Sequence, residues 1–527
     1  MIDLEGTGAL VRLILRRDRI RIFIWVAAIV LVVALTAASV RSLFPTQVAI
    51  DQAAAATRHN AGAIAFNGPA QGLDTLGGQV AFQVGALGMV IVALMSLFMI
   101  GRLTRGDEEA GRLELIRSLP VGIHAPTFAA LLTVTAMNIV VGGLVSLDLV
   151  AQGLPRAGSL VLGASYTVVG LVFTGLALVA AQVTENTRVV YGSAGALLGA
   201  AYIMRVAGDV GDGSLSWFTP IGLAQKARPY AGERWWPLLP LLAAAAALVL
   251  AAVALARRRD HGGGLVAPRP GRARASRSLG RPVGLALRLQ RGALIGWGVG
   301  IAVAGIAYGS IAPTIDSFVA NNKALADVMA SGGGASLTDS YFATSFRVMA
   351  LVATGFAIQS ALRLRREEAA MRAESVLATP ISRWSWATSH LSVALAGSVV
   401  LLAIAGLATG VSYAAAGGSW SSVPRLLGAA VVYAPAMWLM TGIALAVFGF
   451  APRWVDVTWG VLAACLVVGL LGPVLRLPNR VQMLSPFERV PQLPAADLAV
   501  APLVVMIAVA AAFALAGLGG FGRRDVG

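Results

Sequence analysis

The sequence predicts an all-α polytopic membrane protein with about twelve membrane-spanning helices, arranged as two parallel repeats of six. Hydrophobic residues make up 57% of the 527-residue chain, charged residues only 13%, and the mean hydropathy is +0.77. The apolar residues also fall in runs long enough to cross a bilayer. In addition, a charged segment occurs twice, about 260 residues apart, each time after an apolar run. The repeated segment indicates that the chain has two related halves.

The spans follow one another with connections of varied length. The first run follows basic residues and could be mistaken for a secretory signal, but about 20 apolar residues are long for such a signal, so we interpret it as a span. The predicted spans are 21–40, 80–101, 125–150, 159–182, 189–206, 237–256, 292–313, 347–362, 387–413, 426–450, 456–475 and 498–519.

The arginines predict the orientation of the chain. With a cytoplasmic N-terminus, about 28 of the 41 Lys and Arg residues lie on the cytoplasmic side. The sequence therefore predicts a multi-pass protein of the bacterial plasma (inner) membrane with both termini cytoplasmic. Most of the net charge of +16 then lies beside the anionic lipid of the inner leaflet, which argues against nucleic-acid binding.

A linker rich in Arg, Gly and Pro separates the halves. The predicted organisation is a first half at 1–256, a cytoplasmic linker at 257–284 that has too few apolar residues for a core, and a second half at 285–527. Basic helices on the membrane surface are expected at 8–19 and 283–291. An even number of spans in each half makes the repeats parallel, with a substrate pathway expected between them.

The duplicated segments are the strongest functional signal. We call residues 104–120 the first cassette and residues 364–380 the second cassette. In each, a Glu precedes an Arg by four residues, which predicts a short surface helix with ion pairs Glu108–Arg112 and Glu368–Arg372, closed by proline. Such a helix between two spans suits docking of a soluble motor. The candidate docking residues are Asp107, Glu108, Glu109, Arg112, Leu113, Glu114, Ile116, Glu367, Glu368, Arg372 and Glu374.

Few residues within the spans mark a substrate pathway. Gln83 could offer a hydrogen bond to a substrate or could bond between helices. Large flexible or aromatic side chains could line an adaptable apolar cavity or could serve helix packing alone. The candidate pathway residues are Gln83, Met89, Met95, Phe98 and Phe356.

Several chemistries lack the residues they need. No Gly-Lys-Ser/Thr occurs, since Lys226 and Lys323 both follow polar residues, so no P-loop is predicted. With one cysteine, Cys465, and scattered histidines, no metal site and no catalytic residue is predicted in this chain. The histidines are His59, His124, His261 and His390.

Acidic residues are expected only near the ends of spans. A proton-driven transporter usually places ionisable groups within its spans, because a group must change charge during the cycle. The acids nearest to spans are Asp148, Glu185, Asp316 and Asp456. The sequence therefore gives little support to proton coupling.

The order of surface helix, two spans with a charged helix after the second, and three further spans resembles the membrane subunit of type-2 ABC exporters. The sequence from Thr104 to Glu109, followed by Arg117-Ser118-Leu119-Pro120, is similar to the actinobacterial permeases that export polyketide antibiotics such as tetronasin. The resemblance covers nearly the whole chain and rests on the layout and the cassettes.

The resemblance implies a permease of an ATP-driven exporter of hydrophobic or amphipathic compounds, including antibiotics and other drugs. Two copies of a separate ATPase, which binds ATP and Mg²⁺, would dock beneath 104–120 and 364–380, and this chain would hold no cofactor and would not be an enzyme on its own. The second cassette differs by Ala369 at the position of Glu109 and Met371 at that of Gly111, so the two docking sites need not be equivalent.

Two other functions stay open on the sequence alone. A proton-coupled drug transporter of the major facilitator type also has two parallel six-helix repeats, and Gly101 to Arg112 superficially resembles its loop motif. The match fails in detail, because glutamates follow Asp107 where a basic residue is expected. A membrane scaffold without transport activity could also use paired cassettes.

Overall fold

The computed structural model of the chain describes residues 4–58, 61–258, 263–266, 274–320, 337–471 and 478–525. Within those ranges all regular secondary structure is helical, which confirms the predicted fold class. Residues 1–271 and 272–527 pack as two compact units, which we call unit 1 and unit 2.

Unit 1 contains twelve described helices, three of them shorter than seven residues. Side chains cap two of the long ones, Leu76–Gly101 and Thr187–Val210, and Thr75 caps the first by accepting a hydrogen bond from the Gly78 N–H at 3.0 Å. The helices are α1 Thr7–Arg17, α2 Arg19–Leu43, α3 Gln47–Arg58, α4 Ala61–Asn67, α5 Leu76–Gly101, α6 Asp107–Glu109, α7 Arg112–Arg117, α8 Ala125–Ala151, α9 Arg156–Val183, α10 Thr187–Val210, α11 Pro220–Gln225 and α12 Leu238–Ala256.

Helix α5 forms the centre of unit 1 and packs against α2, α8, α9 and α10. The Tyr166 hydroxyl of α9 donates a hydrogen bond to the Val84 carbonyl of α5 at 2.7 Å. Gly88 permits this close approach, because a Cβ there would overlap the Tyr166 ring. The Asn138 amide of α8 donates to Ser96 of α5 at 3.0 Å, so this predicted span residue bonds between helices.

Unit 2 has two tightly packed helix pairs, α13 with α17 and α19 with α22, and α14 packs against members of both pairs. Its described helices are α13 Pro282–Ala320, α14 Leu337–Ala361, α15 Arg363–Ala369, α16 Arg372–Leu377, α17 Arg383–Ala415, α18 Ser422–Val431, α19 Ala434–Phe450, α20 Val457–Leu471, α21 Asn479–Gln482 and α22 Val500–Arg523.

Eleven helical segments in the described ranges are long and apolar enough to cross a membrane. They match eleven of the predicted spans. The remaining one, predicted at 456–475, contains α20, whose described part is 15 residues long, and residues 472–477 lie outside the described ranges.

The two predicted surface helices differ in the structure. The first, α1, is separated from α2 by a break at Asp18, whose carboxylate binds three arginines. The second, predicted at 283–291, is helical and forms the first part of α13, which continues unbroken from Pro282 into the span. In α13 the position that corresponds to Asp18 is occupied by Gln290. The Gln290 side chain is buried and forms hydrogen bonds with Ser360 and His390.

Candidate coupling site

Each cassette folds as two short helices with a sharp turn between them. In unit 1 a π-helical turn, Arg102–Gly106, continues α5 into α6, and Gly111 then reverses the chain before α7 with φ of 67°. In unit 2 α15 and α16 are separated in the same way, with Met371 at φ of 56°. The prediction of one continuous surface helix is therefore wrong at the turn.

The turn changes the ion pairs. Arg112 lies 2.8 Å from Asp107, and Glu108 instead pairs with Arg105 at 2.5 Å. The predicted pair Glu108–Arg112 is wrong, because the left-handed residue at 111 breaks the helical register on which four-residue spacing depends. The predicted pair Glu368–Arg372 is wrong for the same reason, since Arg372 lies 2.7 Å from Glu367.

The acids of the first cassette connect four elements of unit 1. Asp107 is buried and also lies 2.9 Å from Arg17 of α1. The Glu109 carboxylate accepts a hydrogen bond from the Thr187 N–H at 2.6 Å, at the first residue of α10.

Asp18, between α1 and α2, binds Arg17, Arg21 and Arg102 at 2.8 to 2.9 Å. Burial raises the pKa of the Asp18 carboxyl, but the hydrogen bonds and charges of Arg17 and Arg102 outweigh it and hold the pKa below its usual value.

Arg105 attaches the linker to this cluster. Its side chain is 1% exposed, and it donates hydrogen bonds to the Ala181 carbonyl at 2.5 Å and the Gly263 carbonyl at 3.0 Å. The N–H groups of Leu265 and Val266 donate to the carbonyls of residues 182 and 183. Thus residues 263–266 of the linker are packed against unit 1 at the α9–α10 connection.

Two acids of the second cassette, Glu367 and Glu368, are buried and paired. Glu367 lies 2.8 Å from Arg363 and 2.7 Å from Arg372. Glu368 lies 2.8 Å from Arg524, directly after α22, and 3.5 Å from Arg365. The second cassette is thereby fixed to the last helix of unit 2, whereas Ala369 offers no counterpart to the carboxylate of Glu109.

The exposed part of each cassette is its second helix. In α7, Glu114 is exposed and Leu115 is 73% exposed, while Leu113 and Ile116 are half-buried. In α16, Glu374 and Ser375 are exposed and Ala373 is buried. Asp107 and Glu367 pair with Arg112 and Arg372 and so hold the second helix of each cassette in place, with its outer side chains exposed.

The candidate pathway residues do not share one environment. Met89, Met95 and Phe356 are at most 1% exposed, inside the cores of their own units. Phe98 is 41% exposed and lies between Trp25 and Tyr191, with ring centroids 6.3 and 5.2 Å away. Gln83 is half-buried on α5.

Arg205 of α10 is fully buried, and sequence reasoning missed it. It lies 3.3 Å from Asp209 and donates a hydrogen bond to the Ala65 carbonyl at 2.7 Å. An arginine within an apolar run was the available signal.

Of the four histidines considered as metal ligands, His59 and His261 lie outside the described residues, and so does Lys323.

Comparison with known proteins agrees with a permease. A family model described as multidrug efflux system permease Rv1217c, C-terminal domain, matches residues 279–522. The multidrug efflux system permease protein Rv1217c of Mycobacterium tuberculosis (strain ATCC 25618 / H37Rv) is 40% identical over 524 residues, which cover 99% of this chain and 95% of that protein. At this identity and coverage, the chain belongs to the family of the multidrug efflux permease Rv1217c.

Proposed function

We propose that this chain is the membrane permease of a multidrug efflux system of the type-2 ABC class, and that two copies of a separate ATPase dock on α7 and α16. The chain exports hydrophobic or amphipathic compounds, antibiotics among them, from a bacterial plasma membrane in which both cassettes and both termini face the cytoplasm. The similarity to the multidrug efflux system permease Rv1217c supports the efflux role. The exposed second helix of each cassette, held by buried acids, is the observation that supports docking.

The contacts of the first cassette suit the transmission of force. A push on α7 reaches α1 through Asp107 and Arg17, α9 through Glu108 and Arg105, and α10 through Glu109. Each link is a charged hydrogen bond, which is short and directional. The ATPase would thus move several membrane helices of unit 1 together.

Exposed leucines support docking of a protein partner. Leu115 and Leu119 are 73% and 60% exposed, beside the exposed Glu114. An apolar anchor with a charged neighbour is a common arrangement at protein interfaces. In unit 2, Met371 at 60% exposure and Glu374 provide the corresponding surface.

The test uses everted vesicles from the native host and measures ethidium accumulation driven by ATP. Leu115→Arg should reduce accumulation about tenfold or more, because loss of an interface anchor typically costs over 1.4 kcal/mol. The ATPase copy that docks on α7 should also be lost when the tagged chain is purified in mild detergent, so that fewer ATPase copies per chain remain than in the wild type. Phe218→Arg is the matched control, because Phe218 is 79% exposed and lies after the far end of α10.

Two outcomes contradict the proposal. If Leu115→Arg retains the ATPase at wild-type stoichiometry, α7 is not the docking site. If ethidium accumulation persists without ATP and stops when a protonophore removes the proton gradient, the chain is a proton-driven transporter instead.

A further inference from the structure

Unit 1 has an apolar cavity at the end where α8 begins and α12 ends. Its volume is about 350 Å³, which falls in the range of about 300–1,000 Å³ typical of ligand pockets. Leu178 of α9 contributes to its wall, and the other apolar walls include Phe128 and Leu131 of α8 and Val249 and Val253 of α12. Three membrane helices of one unit therefore form most of the cavity, and Leu4, before α1, also lines it.

Polar groups occur only at the same end of these helices. His124 and Arg257, which directly flank α8 and α12, both line the cavity. Within the described ranges, no carboxylate pairs with Arg257. The N-terminus of α8, which has no side-chain cap, adds positive potential at this point.

The depth of the cavity fits a lipid. From Arg257 back to Val249, and from His124 to Leu131, each wall extends about 10–12 Å at 1.5 Å per residue. That is about a third of the hydrocarbon core, which is about 30 Å thick. On α12, Leu250 is 69% exposed and Leu239 is 66% exposed, so this helix presents an apolar surface suited to contact with lipid.

We infer that this cavity binds an anionic phospholipid of the surrounding leaflet, with the phosphate at Arg257 and His124 and part of an acyl chain between α8 and α12. Arg257 donates charge-assisted hydrogen bonds to the phosphate, and His124 adds a donor. The apolar walls accept the chain irrespective of the headgroup. The headgroup and the chain are therefore recognised by separate residues, which can be changed one at a time.

Native mass spectrometry of the purified full chain in mild detergent tests this, with phosphatidylglycerol and phosphatidylcholine of identical acyl chains added in turn. The wild type should retain phosphatidylglycerol preferentially. Arg257→Gln should weaken its binding about tenfold, the loss expected for a charged hydrogen bond. Arg258→Gln, which changes an adjacent arginine outside the cavity lining, should have little effect.

A second pair of variants tests the acyl site. Val253→Trp fills the cavity from a position that is already 38% exposed, so it should weaken retention of both lipids, whereas Leu250→Trp on the outer face of α12 should weaken neither. Equal losses for Arg257→Gln and Arg258→Gln, or full retention by Val253→Trp, would overturn the inference.

Photochemical labelling locates the lipid independently. Phosphatidylglycerol with a diazirine on its acyl chain, in nanodiscs containing the full chain, should label residues 127–131 and 249–256. Labelling spread over the other exposed helices overturns the site. Displacement of the lipid by ethidium in one-to-one competition also overturns it, because the cavity would then bind transported compounds.

Discussion

The guanidinium of Arg17 lies 2.9 Å from the carboxylate of Asp107, 90 residues further along the chain. This contact joins α1 to the first cassette. Arg112, which follows the turn at Gly111, pairs with the same carboxylate. Asp107 is therefore the residue at which a surface helix, the end of α5 and the exposed α7 meet.

Asp107→Asn should destabilise unit 1 and uncouple α7 from α1. Because Asp107 is buried and binds two arginines, removing its charge should cost on the order of 2 kcal/mol. The measurement is Tm in mild detergent together with ATP-driven ethidium transport. Glu114→Gln, on the exposed face of α7, is the control and should leave Tm unchanged. Equal Tm values for the two variants would show that the buried pairs do not stabilise the cassette.

Met371→Gly should stabilise unit 2. Met371 has φ of 56°, a left-handed conformation that costs a residue with a Cβ about 1 kcal/mol, and its side chain is 60% exposed, so little packing is lost. Tm should rise, and the reverse change at the corresponding turn, Gly111→Met, should lower it. Gly106→Ala is the control, because Gly106 has a helical φ of −63°. A fall in Tm for Met371→Gly would mean that the methionine has a packing role.

Asp18→Asn should lower stability in a way that depends on pH. Because the pKa of Asp18 is lower in the folded chain than the usual value of about 3.9, its ionised form contributes stability that is full above that value and is lost as pH falls through the folded pKa. The Tm difference between wild type and variant should thus be large at pH 7 and should shrink as the pH falls below about 3.9. Asp51→Asn, at an exposed site on α3, should show no such convergence.

Arg205→Met should be among the most destabilising single changes in unit 1. It leaves the Asp209 carboxylate buried without its cationic partner, which typically costs about 3–5 kcal/mol. Arg205→Met with Asp209→Asn should recover part of the loss, because the stranded charge is removed. Arg188→Met, at an exposed site of α10, is the control. A double variant less stable than the sum of both single changes would contradict this explanation.

Local sequence patterns were sufficient for the spans and for the existence of the cassettes. Apolar runs such as Leu238–Ala256 can satisfy their backbone only as helices within a bilayer, so their position follows from composition. The spacing of charges does not reveal the π-helical turn at Arg102–Gly106 or the left-handed residue at 111, so spacing alone gave the wrong ion pairs.

The sequence by itself determined that this chain is a helical membrane protein with two charged cassettes, because hydropathy and charge act residue by residue. Only the tertiary structure decided which charges meet. Arg105 reaches Gly263, and Arg524 reaches Glu368, across long stretches of chain. A buried charge without a partner is strongly destabilising, and the packing of helices distant in sequence decides which residue becomes that partner.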